Sequence, residues 1–540
     1  MSVTNADSSN SPAPFELNIR VDRPAQVAGY LSLALLILIL IRNLWVADDA
    51  FITLRTVDNF LHGYGLVWNV GERAQVYTHP LWMFVLVFFD LILSDPLYVF
   101  YIPSLILSIW TIVLLMRNFA SGAIRSIFGL VLLGGSSAFI DFSSSGLENP
   151  LTHLLLTLFL IQFLQPEPAT RRRLFAMALL AGLAAFNRLD TILFYIPPLI
   201  LVWLSDQKSR WSAALTMLGG FIPLLLWELF SLYYYGFPFP NTYYTKAETG
   251  LPTGLLLEQG WVYTMNSLHW DPITLGTVLT GMATLLFQRE SKRVGIAAGC
   301  LLYFGYILWV GGDFMSGRFY SAMFIMGWLL VMTFDFAGTF GSISSRVRNL
   351  FLAFLVLTAF SAERPPLFIT GTQAGVSGDR YEIAYEKYFY FGATGWINYF
   401  KYRGLHEWAA LGVKAAQEKT SPVEYGTIGM YGYYAGPQIY IIDTHALADP
   451  LRAHIPANPG LAGIGHYYRD YPAGYKETIE SNFSENLIED PDLKLYYDKL
   501  SILIHGDLNA PGRIREIVRF NTGYYSLLPK KYWNRIFGVP

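Results

Sequence analysis

Two aspartates stand side by side, Asp48 and Asp49, just after an apolar run that ends at Val46. The segment continues through Arg55, Asn59 and Glu72 to Tyr77-Thr78-His79-Pro80-Leu81-Trp82. Four further polar clusters interrupt apolar sequence downstream. They are Ser145-Gly146-Leu147-Glu148, Asn187-Arg188-Leu189-Asp190, Pro240-Asn241-Thr242-Tyr243-Tyr244 with Lys246, and Gly312-Asp313-Phe314-Met315 with Arg318. A carboxylate can take the proton of an acceptor hydroxyl. Arginine binds phosphate through a planar fork, and lysine binds it as a point charge. Ionisable groups at membrane depth are costly and tend to face cavities. Five such clusters on one face would build one polar cavity at a membrane interface, suited to the headgroup of a carrier lipid.

Each residue also has a plainer reading. A carboxylate at a helix end is often a cap, and Glu148 could cap the helix that follows it. Arg188 and Asp190 could be a salt bridge between helices, and Arg318 a snorkelling side chain. Asp48 and Asp49 are harder to set aside, because adjacent carboxylates raise one another's pKa. One of them could be catalytic and the other structural or metal-binding.

The elements that must position these residues follow from hydropathy. The 540-residue chain is 53% hydrophobic and 14% charged, against about 25% charged in soluble domains. The apolar share is concentrated in residues 29–362, while 363–540 reads as soluble sequence. Residues 1–28 form a polar tail expected to be disordered and cytoplasmic. The first apolar run lacks a cleavage site and is expected to stay as an anchor. The net charge of -2 points to no nucleic-acid partner. The single cysteine, Cys300, rules out an internal disulfide.

Helical spans need about 17–25 apolar residues. They are expected near 29–46, 97–116, 126–140, 150–165, 174–188, 190–204, 212–233, 272–287, 294–311, 319–340 and 349–362. The apolar stretch 81–93 is short and stops at Ser94-Asp95-Pro96. Basic clusters at Arg117/Arg125, Arg171–Arg173, Lys208/Arg210, Arg289/Lys292/Arg293 and Arg346/Arg348 alternate with the polar loops. The positive-inside rule is satisfied if 81–93 does not cross. The expected fold is therefore an α-helical polytopic membrane domain of about eleven spans. Its N-terminus lies inside, and a C-terminal α/β soluble domain lies on the outer side.

In that soluble region, residues 423–450 read as strand, turn, helix, strand, with Asp443 ending the second strand. Asp443, His445, Asp449 and His466 suit turns and caps better than a metal cluster at this spacing. The glycines form no dinucleotide fingerprint.

The run Asp48-Asp49-Ala50-Phe51-Ile52, followed by Arg55, Asn59, Gly63-Tyr64-Gly65-Leu66-Val67 and Asn69-Val70-Gly71-Glu72, resembles the bacterial GT-C glycosyltransferases. The match continues through Tyr77–Trp82, the four downstream clusters and the C-terminal run Gly426–Gly429 to Asp443–Pro450. The type it looks most like is the terminal arabinofuranosyltransferase of actinobacterial cell-wall arabinan. The resemblance implies a GT-C-like membrane fold, an active site on the outer face of the bacterial plasma membrane and a polyprenyl-phosphate sugar donor. It makes Asp48 or Asp49 the catalytic base. Arg188, Lys246 and Arg318 become phosphate ligands, and Arg55, Glu148, Asp190, Asn241 and Asp313 further substrate-binding or supporting residues.

The expected reaction is transfer of a sugar, arabinofuranose in the related type, to a cell-envelope glycan or protein acceptor. Neither stereochemical outcome nor metal use follows from the residues, though the acidic cluster would suit a divalent cation. The alternatives are a transporter or flippase of an envelope lipid and a glycan polymer ligase. Transporters place ionisable groups near the midplane in repeated halves, whereas this chain shows no internal repeat.

Overall fold

The computed structural model describes residues 23–120, 122–205, 209–247, 249–361, 365–366, 382–402, 404–458 and 462–538. Most of the expected tail, Lys208 and the expected boundary at 362/363 lie outside them.

Helix occupies each of the eleven apolar stretches. Among the described residues, three helices are long and apolar enough to cross a membrane: Pro96–Phe119, Ser291–Val310 and Phe336–Phe360. A fourth such unit is the pair Arg210–Gly220 and Ile222–Tyr234, bent by 55° at its break. The other apolar helical segments run 10–17 residues, so length and composition alone do not carry a count of eleven spans. The shortening has local causes. Ser136 ends one helix by capping the next, accepting the Phe139 N–H at 3.1 Å. The stretch 81–93 forms the helix Pro80–Asp90. Eleven residues rise about 16 Å, roughly half a hydrocarbon core.

The helix Asp48–Leu61 begins with both aspartates in its first turn, where carboxylates complement the helix dipole. It is a separate helix from Arg23–Arg42, which precedes it. It is buried nearly all round and packs on Pro80–Asp90 and on the C-terminal helix Ile428–Ala435.

The C-terminal region is not a detached globule. Tyr390, Phe391, Ala409, Met430 and Ile464 belong to the same apolar core as the bundle helices. A second core joins Ile52, Trp68, Ala74 and Val76 of the first loop to Ile428, Tyr431, Ile441 and Leu447. A third lies within the C-terminal region, around Tyr475, Leu493, Leu500 and Tyr525. Its β content among the described residues is small. Val423–Tyr425 pairs in parallel with Ile441–Asp443 across the helix Ile428–Ala435, and Ala462–Gly463 pairs antiparallel with His466–Tyr467.

Candidate active site

The polar clusters meet. A cavity of about 300 Å³ is lined by Asp49, His79, Arg188, Asp190, Lys246, Asp313 and Arg318, with Gly465 and Tyr467 from the C-terminal region. Helix ends deliver most of these groups. Arg188 follows the helix Arg171–Asn187, Asp313 and Arg318 follow Ser291–Val310, and Lys246 ends Asn241–Ala247.

Glu148 is the centre of the charge network and has no exposed surface. Arg188 Nη1 donates to Glu148 Oε1 at 2.7 Å. Arg318 Nη2 donates to both Glu148 oxygens at 3.2 Å. The outer flanks of the two guanidiniums are also held. Arg188 Nε donates to Asp190 at 2.8 Å, and Arg318 Nη1 lies 3.4 Å from Asp313. The Phe319 ring lies 4.7 Å from the Arg188 guanidinium. Burial alone would raise the Glu148 carboxyl, but Arg318 and Arg188 outweigh it and hold it well below the usual carboxylate range. Glu148 sits at the N-terminus of Asn149–Leu164 but makes no side-chain cap bond. It is the anchor of two arginines, with no face left for substrate.

His79 extends the network. Its Nδ1 lies 3.3 Å from Glu148 and its Nε2 lies 2.7 Å from Thr53 Oγ1. Burial lowers its pKa to about 4, so it is neutral near pH 7.

The adjacent aspartates separate, because one residue step turns a helix by about 100°. Asp49 faces the cavity. Burial raises its pKa; Lys246 and Arg318 pull against that rise, while Asp313 and Glu148 add to it. Asp48 points at the C-terminal region and accepts the Gly429 N–H at 3.0 Å and the Met430 N–H at 2.7 Å. A Cβ on Gly429 would stand 1.9 Å from the Asp48 carbonyl oxygen, so only glycine fits there. Burial, partly offset by the Met430 N–H, raises Asp48 to about 7.

Two other expected substrate-binding residues serve the scaffold. Arg55 is buried outside the cavity lining. It donates to the carbonyls of Trp68 and Ile439 at 2.8 Å and to that of Gly432, and its guanidinium lies 4.4 Å from the Trp68 ring centroid. Asn241 Nδ2 donates to the carbonyls of Ala446, Leu447 and Asp449 at 2.9–3.2 Å. Both residues are spent on tying the early loops to residues 432–449.

The structure adds residues that sequence reasoning passed over. His79 stood inside the Tyr77–Trp82 run without a role, and Phe319 directly follows Arg318. Glu386, at the start of the helix Glu386–Thr394, had no signal at all. Burial raises its carboxyl well above the usual range, and Asp49, Asp48 and Asp313 add to that rise. The described residues hold no group of three or more His, Cys, Asp or Glu side chains arranged for a metal ion. Asp443 and Asp449 accept local backbone N–H groups of His445, Ala448, Leu451 and Arg452. Glu148 and Asp313 are paired with arginines.

No protein-family model matches the chain. A terminal beta-(1->2)-arabinofuranosyltransferase of Mycobacterium tuberculosis is 26% identical over 522 aligned positions, covering 79% of this chain and 81% of that protein. One of the same name from Corynebacterium glutamicum is 26% identical over 330 positions, covering 51% of this chain and 46% of that protein. Among solved structures, the apo ArnT of Cupriavidus metallidurans aligns with a TM-score of 0.46 at 11% identity, over 81% of this chain and 88% of that one. The apo oligosaccharyltransferase of Archaeoglobus fulgidus aligns at 0.44 and 12%, over 89% and 71%. Over most of its length, then, this chain is similar in sequence to terminal arabinofuranosyltransferases, the resemblance its ordered motifs carry.

Proposed function

We propose that this protein is a membrane glycosyltransferase that moves a sugar from a polyprenyl-phosphate carrier to a cell-envelope glycan or another extracytoplasmic acceptor. The names of its relatives point to arabinofuranose as the sugar. One observation carries the reading: a carboxylate, Asp49, shares a cavity with Lys246 and Arg318, and that cavity has an apolar edge. Leu189 and Tyr243 line it yet are 41% and 36% exposed. A headgroup can sit among the charges while its tail leaves past these side chains into lipid.

In this mechanism Asp49 accepts the proton of the acceptor hydroxyl as that oxygen attacks the anomeric carbon. The bond from that carbon to the phosphate oxygen breaks, and the electron pair leaves on the prenyl phosphate. Lys246 and Arg318 stabilise the charge that develops there, as pre-aimed donors in a dry site do. Glu148 keeps Arg188 and Arg318 aimed. The basic clusters lie at the far ends of the same helices. Arg171, for example, starts the helix that leads to Arg188, about 25 Å away. Under the positive-inside rule this arrangement supports a cavity on the outer face of the plasma membrane.

Transfer from a radiolabelled polyprenyl-phosphate arabinofuranose, assayed on the full chain in proteoliposomes, tests the proposal. Asp49→Asn is expected to lower kcat by about 10²–10⁴-fold, the usual cost of a lost base. Asp48→Asn is expected to keep the rate within about tenfold, because Asp48 bonds only backbone. An Asp49→Asn variant with full activity, or lipid movement without bond cleavage, would remove the reading.

A further inference from the structure

The three cavity cations are held in different ways. Arg188 and Arg318 are ion-paired on two sides. Lys246 has no hydrogen bond or ion pair to another described residue. Its Nζ instead lies 5.4 Å from the centroid of the Phe314 ring. The His466 ring packs on Phe314 with centroids 4.3 Å apart. His445 packs on His466 at 4.8 Å.

Of this column, His466 belongs to the hairpin that pairs Ala462–Gly463 with His466–Tyr467. Gly465 in its turn has φ +77°, and a Cβ there would stand 3.3 Å from the Phe314 ring and 3.5 Å from Lys246 Nζ. The backbone therefore calls for glycine, and a Cβ would press on the Phe314 ring. The hairpin is anchored at two points. Tyr467 lies within hydrogen-bond distance of Gln259, at 3.2 Å. Just past the hairpin, Arg469 Nη2 donates to the carbonyl of Thr245, next to Lys246, at 2.7 Å. Burial, reinforced by Lys246 nearby, lowers His445 to about 4 and His466 well below its ordinary value. The column is thus uncharged at neutral pH.

We propose that the hairpin 462–467, through Gly465 and His466, is the positioning device of the donor-phosphate subsite. It aims Lys246 into the cavity against an aromatic face and leaves it without a direct ion pair among the described residues. A carboxylate partner would have to be displaced by an incoming phosphate, whereas a π face holds the ammonium and leaves its N–H donors open. The ligand class is the monophosphate ester of a long prenol. This inference rests on the function proposed above.

The test uses the full chain in lipid nanodiscs, with farnesyl phosphate as binding probe and the radiolabelled lipid donor for kinetics. Gly465→Ala and His466→Ala are expected to weaken farnesyl phosphate binding and raise the donor KM by about tenfold, with kcat changed less than about threefold. His466→Phe, which keeps a ring on Phe314, is expected to restore both. Lys246→Ala is the reference and is expected to lose binding more severely. If Lys246→Ala weakens binding while His466→Ala and Gly465→Ala do not, the positioning role is overturned and the phosphate site stands. A fall in kcat at unchanged KM overturns it as well. If Lys246→Ala itself leaves binding unchanged, the phosphate reading fails and takes this inference with it. Should Gly465→Ala fail to fold, the two His466 variants decide.

Discussion

The two ends of the helical bundle carry similar residue types in mostly opposite states. At the cavity end, Glu148 and Arg318 are buried and both cavity-lining guanidiniums, Arg188 and Arg318, have carboxylate partners. At the far end, Arg117, Arg172 and Arg346 are exposed, and a smaller cavity of about 160 Å³ is lined by Arg125 and Arg348 among apolar side chains. Removal of one partner of a buried pair costs about 3–5 kcal/mol, while an exposed charge contributes little. Apart from Arg293, which is buried in a far-end cluster, burial therefore separates the charges proposed to do chemistry from those proposed to orient the chain, although the sequence writes both as polar breaks between apolar runs.

The largest effect is expected where one anion serves two cations. Glu148→Gln keeps the shape of the side chain and removes the charge that Arg188 and Arg318 share. Two buried guanidiniums then keep only their flanking bonds to Asp190 and Asp313. At about 3 kcal/mol for an uncompensated buried charge, kcat/KM for transfer should fall at least about 100-fold. Steady-state transfer with the purified variant checks this, with a melting curve to establish that it folds. A variant within threefold of the wild type would break the contrast, because the cavity end would then tolerate lost charge as a surface does.

A smaller effect lies in the pH profile. Burial raises Asp49, and Lys246 and Arg318 oppose that rise. A base must be ionised to work, so kcat/KM should fall as acid protonates Asp49. The midpoint should lie above the ordinary aspartate value of about 4. Lys246→Gln removes a cation that favours the ionised form, so the acid limb of its residual activity should move to still higher pH. A limb at or below about pH 4, or a shift in the other direction in Lys246→Gln, would show that the titrating base is not Asp49.

Much of the frame was legible in the sequence, for reasons visible in particular residues. Asp95, which with Pro96 marked the end of 81–93, caps the next helix by accepting the Leu97 N–H at 2.9 Å. The strand-helix-strand pattern of 423–443 reappears as a parallel pair flanking a helix, because alternation and glycine spacing are local properties. The site was legible as a set of clusters and not as a set of directions. Adjacency of Asp48 and Asp49 says nothing about which faces the cavity; that is fixed by the N–H groups of Gly429 and Met430, more than 380 residues away. Arg55 looked like a ligand because its carbonyl partners Gly432 and Ile439 are equally remote. The region after 362 was expected as a separate domain because its composition is soluble. Its apolar side chains share cores with the bundle and the first loop, and composition does not record what a side chain packs against.

The smallest effect is expected at the far end. Arg117, Arg172 and Arg346 belong to three different basic clusters and are all exposed. Substitutions at such positions usually change stability by no more than about 0.5 kcal/mol, so Arg117→Gln, Arg172→Gln and Arg346→Gln should each leave kcat/KM within about twofold. Orientation in the membrane depends on the summed bias of all the clusters, and one neutralised arginine leaves that bias in place. Transfer assays on right-side-out vesicles report rate and sidedness together: the expected result is wild-type turnover from donor and acceptor supplied on the cavity face. A tenfold loss in any one variant would mean that the far end takes part in the reaction cycle, and that exposure does not separate orienting charge from working charge in this protein.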